Sequence, residues 1–190
     1  VVGNPATFTL EISGSDDAAI STFTCSDPQA VFVFPAGTGL GGNEVMLGNG
    51  THGFLLDTRV TGDLTVTVRV SDGSGHSVQR QCTVTSRYPK FSAMIRTMSS
   101  AALYSDSPMT LIIRSTEYAG DYTVSYTTTS TNCRVSYGGS MLRPDSPVTL
   151  EAGQHIFTAN SSYAERTEFV FTITDIYGQS QQAQASITWR

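Results

Sequence analysis

The feature that most constrains this chain is an internal repeat. Displaced by 103 positions, Pro5 falls on Pro108, Thr7 on Thr110 and Phe23 on Tyr126. Val45 and Leu47 fall on Val148 and Leu150, and Gly50, His52 and Phe54 on Gly153, His155 and Phe157. Asp72, Gly75 and Ser77 meet Asp175, Gly178 and Ser180, and the correspondence runs without a gap from Pro5 to Arg87. Identities gathered at turns and strand starts over a whole domain mark two copies of one folding unit. The apolar pattern transfers too, Leu64-Thr-Val-Thr-Val-Arg-Val becoming Thr167-Glu-Phe-Val-Phe-Thr-Ile.

Each copy reads as strand rather than helix. Ala6–Ile12 places Phe8, Leu10 and Ile12 on one face, and Leu64, Val66, Val68 and Val70 alternate with Thr65, Thr67 and Arg69. Period-two alternation bounded by Gly, Asp and Pro is the signature of a half-buried antiparallel strand. About seven such strands per copy, spaced by roughly 8–12 residues, fit an immunoglobulin-like sandwich. The expected fold class is therefore all-β, with two tandem immunoglobulin-like β-sandwich domains at 1–87 and 88–190. In the labels of that fold, strand B is expected at Ala6–Ile12 and Thr110–Thr116, and strand C at Ile20–Ser26 and Thr123–Thr129. The next strand, C′ or D, is expected at Val31–Phe34 and Arg134–Tyr137. Strands E, F and G begin near His52, Leu64 and His76, and near His155, Thr167 and Gln179.

The copies differ at their start. Module 2 has Tyr88–Ser107 before Pro108, with Phe91, Ala93 and Ile95 alternating as a first strand, whereas module 1 has only Val1–Asn4 before Pro5. Module 1 thus lacks its initial strand in this chain. An absent strand leaves backbone donors and acceptors open at a sheet edge. The expectation is that module 1 is natively longer or that its edge pairs in trans.

Composition excludes several classes. Charged residues make up 14%, net charge is −5 and Lys90 is the single lysine, so no basic footprint for nucleic acid exists. No apolar run approaches the roughly 20 residues that span a bilayer. A start at Val1 rather than Met reads as a trimmed or processed chain. Cys25, Cys82 and Cys133 are an odd set, which excludes a disulfide-dense scaffold. Cys25 on strand C and Cys82 on strand G are expected inward as free thiols, with strand F between them and about 9–10 Å separating their strands.

Candidate chemistry is sparse. His52 and His155 share one repeat position but lie in different modules without a second His or Cys at ligand spacing, so a structural role at the start of strand E is expected. No Ser-His-Asp or Cys-His set can be assembled, and no enzyme, metal or cofactor is expected. Gly37-Thr-Gly-Leu-Gly-Gly42 is followed by Asn43-Glu-Val-Met-Leu, a strand rather than the helix a phosphate loop requires. Asp72–Gly75 and Asp175–Gly178 read as Asp-x-x-Gly turns. Calcium held by Asp16, Asp17 and Asp72 is the alternative to a purely structural turn in module 1. Tyr118, Tyr122 and Tyr177 replace Ser15, Ala19 and Ser74, and with Ile176 they form a module-specific patch expected at one end of the sandwich. That patch is read as an inter-domain contact or a ligand site.

The text Leu64-Thr-Val-Thr-Val-Arg-Val-Ser-Asp-Gly-Ser-Gly-His-Ser resembles bacterial extracellular Ig-like and PKD-like modules. In module 2, Leu142-Arg-Pro-Asp…Leu150, Gly-Gln-His-Ile-Phe and Phe-Val-Phe-Thr-Ile-Thr-Asp-Ile-Tyr-Gly-Gln-Ser-Gln-Gln resemble the TraQ proteins of Bacteroides-type conjugative transposons. Those are cell-envelope proteins with an Ig-like fold and no known catalysis. The resemblance implies a non-catalytic, extracytoplasmic protein at the periplasm or surface of a Gram-negative bacterium. A binding or spacer role with a protein partner is expected first, a conjugative transfer component second and a carbohydrate-binding accessory module third.

Overall fold

The computed structural model describes all residues except 16 and 35–38. The chain divides into two compact units, Val1–Pro89 and Lys90–Arg190, each an all-β sandwich. Unit 1 runs β1 (Ala6–Ile12), β2 (Ala19–Cys25), β3 (Val31–Val33), β4 (Gly39–Gly41), β5 (Glu44–Leu47), β6 (Gly50–Asp57), β7 (Gly62–Ser71) and β8 (Ser77–Ser86). Unit 2 runs β9 (Ser92–Thr97), β10 (Ser100–Ala101), β11 (Ser107–Arg114), β12 (Tyr122–Thr128) and β13 (Cys133–Tyr137). It continues with β14 (Ser140–Leu142), β15 (Val148–Leu150), β16 (Gly153–Ser161), β17 (Arg166–Thr174) and β18 (Ser180–Trp189). Strand B of module 2 therefore begins earlier than the expected Thr110, because its pairing with β16 starts at Ser107 opposite Ala159.

The two units share most of their topology. Strand order β1-β6-β3 in unit 1 corresponds to β11-β16-β13 in unit 2, and β5-β2-β7-β8 to β15-β12-β17-β18, while the short strand β4 pairs with β5 and β14 with β13. The strand read as C′ or D joins the β1–β6 sheet, through Val31 opposite Asp57, while β5 flanks β2 in the other sheet. Unit 2 alone has β9, which pairs antiparallel with β11, and β10, which pairs parallel with β18. Module 1 lacks that initial strand among the described residues.

The cores follow from alternation. In module 2, Met109, Leu111, Tyr122, Phe157, Phe169, Phe171, Ile187 and Trp189 are almost wholly buried. Trp189 Nε1 donates to Thr167 Oγ1 at 3.1 Å, so the indole enters the core with its one polar atom satisfied. Module 1 builds a smaller core around Phe23, whose ring meets Phe54 at 4.5 Å and Phe34 at 5.0 Å.

The cysteines need one correction. All three are unbridged, and Cys25 faces Val66, which in turn faces Cys82, so β7 separates them as expected. Cys82, however, is exposed rather than buried. It follows the same alternation as Val84, but no strand lies over that stretch of β8 among the described residues. Cys133 is buried, and that burial pushes its thiol up to about 11.

Candidate binding site

The side chains repeated between modules are used to fasten strands and turns. His52 Nε2 lies 2.8 Å from the Gly48 carbonyl, and His155 Nε2 lies 2.9 Å from the Glu151 carbonyl, four residues back in both cases. The Asp-x-x-Gly turns match atom for atom. Asp72 Oδ1 accepts from the Ser74 and His76 amides at 2.9 Å, and Asp175 Oδ1 accepts from the Tyr177 and Gln179 amides at 2.9 Å. The second oxygen meets His76 Nδ1 at 3.0 Å in one turn and accepts from Gln179 Nε2 at 2.8 Å in the other. Gly75 and Gly178 close the turns at φ +88° and +81°, where a Cβ is strained. Partial desolvation works against ionisation of Asp72, but the hydrogen bonds from His76 and Ser74 outweigh it and hold the carboxyl below its usual range.

Asp16 lies outside the described residues, as do Gly37 and Thr38 of the glycine run. Among the described residues no group of three or more His, Cys, Asp or Glu side chains converges for a metal. The strand β5 follows the glycine run, with no helix dipole to receive a phosphate there.

The four residues of the module 2 patch separate by depth. Tyr122 opens β12 at 0% exposed, so it belongs to the core and not to a surface. Its ring centroid lies 4.9 Å from Phe91 and 5.5 Å from Tyr118, edge-on to the latter. Tyr118 meets Tyr177 at 6.1 Å, and both are half-buried, while Ile176 stands 66% exposed at the turn. A file of four aromatic rings thus links half-buried Phe91 through buried Tyr122 to half-buried Tyr118 and Tyr177. Burial raises the Tyr122 phenol, and it raises Tyr118 as well, where an ionised Tyr177 would add repulsion. Ser115 Oγ anchors the file by accepting from the Tyr118 amide at 3.1 Å and donating to the Lys90 carbonyl at 2.9 Å. Gly120 makes room for it, since a Cβ there would lie 2.1 Å from Tyr118 Oη.

Two sites escaped the sequence. Tyr104 and Tyr163 are 74% and 64% exposed, and both are tied to Ser161. The Tyr104 amide donates to the Ser161 carbonyl at 2.9 Å, and Ser161 Oγ donates to the Tyr163 carbonyl at 3.2 Å. Tyr104 precedes the ungapped repeat, so comparing copies could not flag it. The second site is a cleft of about 560 Å³ in module 1, lined by Leu10, Ile12, Ala19, Val68, Val70 and Val78. Its signal was in the repeat: Ala19 and Ser15 stand where module 2 has Tyr122 and Tyr118.

No family model matches this chain, and no curated protein matches it. Among solved structures, it is similar to a conjugative transposon lipoprotein from Bacteroides eggerthii at 13% identity and TM-score 0.45, covering 53% of this chain and 98% of that one. It is similar to a lipoprotein from Bacteroides thetaiotaomicron at 19% identity and TM-score 0.45, covering 55% of this chain and 83% of that one. It is also similar to the tetra-tandem repeat in the extending region of a large adhesion protein, at 15% identity and TM-score 0.38, over 98% of this chain and 46% of that one.

Proposed function

We infer that this chain is a non-catalytic binding or spacer element of a bacterial cell envelope, built from tandem Ig-like modules and located outside the cytoplasm. The observation that carries the reading is the division of labour between the copies. The titratable groups they share, His52 and His155, Asp72 and Asp175, are engaged in strand and turn hydrogen bonds. What differs is apolar: an open cleft in module 1 and an aromatic file in module 2. Surfaces of that kind bind rather than react. Fractionation of the producing cells tests the location: the protein is expected in the envelope fraction, and a cytosolic pool would refute it.

The finer reading is a component of a conjugative transfer apparatus with protein partners, supported by the module 2 text from Leu142 to Gln182. Deletion of the gene is then expected to lower transfer frequency, and unchanged transfer removes this reading. A carbohydrate-binding role is supported by the exposed Tyr104 and Tyr163 and the half-buried Tyr177. Binding on a glycan array that is lost in Tyr104→Ala, Tyr163→Ala or Tyr177→Ala favours it, and a silent array removes it.

A further inference from the structure

Tyr104 and Tyr163 stand in water on module 2, 74% and 64% exposed, and neither is placed there by the needs of the fold. Tyr104 has φ +59°, a left-handed conformation that strains a residue with a Cβ and that glycine or asparagine adopts more readily. Its exposed ring gains no burial in return, and an exposed residue held in such a conformation points to function. The turn is fixed all the same. The Ser105 amide and hydroxyl both donate to the Ala102 carbonyl, at 3.3 and 2.6 Å, and the Tyr104 amide donates to the Ser161 carbonyl at 2.9 Å. Tyr163 follows the same serine, whose Oγ accepts from the Tyr163 amide at 3.2 Å. Module 1 makes this second turn with Thr58, the counterpart of Ser161, whose Oγ1 accepts from the Val60 amide at 3.3 Å. The turn itself therefore does not require tyrosine.

Next to the residues that carry these tyrosines, a shallow cleft of about 270 Å³ opens on the outer face of the sheet, lined by Asp106, Arg134, Thr158 and Asn160 among others. Asn160 Nδ2 donates to Asp106 Oδ1 at 3.0 Å, and Asn160 lies opposite Arg134 in the β13–β16 ladder. Among the described residues neither Asp106 nor Arg134 forms an ion pair. We propose that Tyr104, Tyr163, Asp106, Arg134 and Asn160 form a binding site for a neutral oligosaccharide of pyranose units. This rests on the carbohydrate-binding reading and gives it a place and a ligand class. The C–H face of a pyranose is slightly positive and stacks on the negative face of an aromatic ring, while its hydroxyls need donors and acceptors at the edge. Here the carboxylate accepts, the guanidinium donates and the carboxamide does both. Other ligands fit less well. An anion is repelled by Asp106 and a cation by Arg134. An extended peptide needs a free strand edge, but the cleft lies over β16 and β13, each with a neighbouring strand on either side.

The probe is an array of neutral pyranose oligosaccharides, with uronic-acid and sulfated ones beside them, presented to the intact 190-residue chain. Binding to neutral oligosaccharides is expected. In titration calorimetry the affinity for the best of them is expected to change less than about twofold between about 0.05 and 0.5 M NaCl. Tyr104→Ala and Asp106→Ala are each expected to weaken it at least about tenfold. Tyr104→Asn separates binding from folding: it relieves the left-handed strain, so the thermal midpoint is expected to hold or rise while the affinity falls as in Tyr104→Ala. A silent array removes the carbohydrate reading and this site together. Glycan binding that survives Tyr104→Ala and Asp106→Ala but is lost in Tyr177→Ala overturns the site and leaves the reading standing. Binding confined to acidic glycans, or a steep salt dependence, overturns the neutral ligand. A lower midpoint in Tyr104→Asn assigns the ring to the fold and overturns its role in binding.

Discussion

β1 and β11 are the same strand in two settings. Both carry apolar residues at alternate positions, both pair with the strand bearing the repeated histidine, and both face the same kind of opposing sheet. β11 has β9 on its outer edge and β1 has no partner there among the described residues. The consequence reaches across the sandwich: β18 buries Ala183, Ile187 and Trp189, whereas at the matching positions of β8 Arg80 is exposed and Val84 half-exposed, with only Ser86 buried. One edge strand thus decides how much of two sheets leaves water. Burial of alternating side chains needs a facing layer, and the layer here ends one strand short.

The largest difference between the modules is expected in thiol chemistry. Cys82 is exposed, while Cys133 is buried with its thiol pushed up to about 11. At pH 8 a maleimide is expected to label Cys82 at least about 100-fold faster than Cys133, which reacts only after unfolding. Mass spectrometry of the labelled chain measures this, and equal rates would mean that Cys133 is as accessible as Cys82 in the folded chain.

The next test exchanges a core anchor for its small counterpart. Trp189→Ala removes a side chain 1% exposed and is expected to cost module 2 about 3–5 kcal/mol. Ser86→Ala at the matching place in module 1 removes a buried hydroxyl without a hydrogen-bond partner and is expected to change stability by no more than about 0.5 kcal/mol. Urea unfolding followed by hydrogen exchange in each module separates the two. Where the modules agree, the effects should agree: Gly75→Ala and Gly178→Ala, both at positive φ, are each expected to cost about 1 kcal/mol. A clear inequality would show that the shared turn is not equally supported.

The smallest effect concerns acid. Asp72 is held below its usual range in the folded state, so its contribution to stability is present above the unfolded pKa of about 3.9 and is lost as pH falls through the folded value. Module 1 is therefore expected to weaken as pH falls below about 4, and Asp72→Asn to lose that share of the acid sensitivity. Urea midpoints at a series of pH values measure it.

Much of this was legible beforehand because β signals are local. Alternation placed most strands within a few residues, and Asp-x-x-Gly located both turns, since the aspartate oxygens and the positive-φ glycine act within five residues. Less local features were harder. Val31–Val33 is too short for its residues to choose a sheet, and pairing with β6 chose for it. Tyr118, Tyr122, Ile176 and Tyr177 read as one group in the sequence, but their order in depth depends on Phe91 arriving just ahead of β9 and on Gly120 leaving space. Cys82 had the parity of a buried residue and lacked only a cover.

The sequence by itself determined two copies of one all-β unit, the face to which each strand residue points, and the turns that join the strands. Those follow from the period of the extended chain and from backbone preferences of Asp and Gly. Only the tertiary structure decided which inward faces are covered. Phe8 and Leu111 have the same parity at the same repeat position, yet one is half-buried and the other fully buried. The difference lies in a neighbouring strand distant in sequence, because water is excluded by what packs against a residue and not by the residue alone.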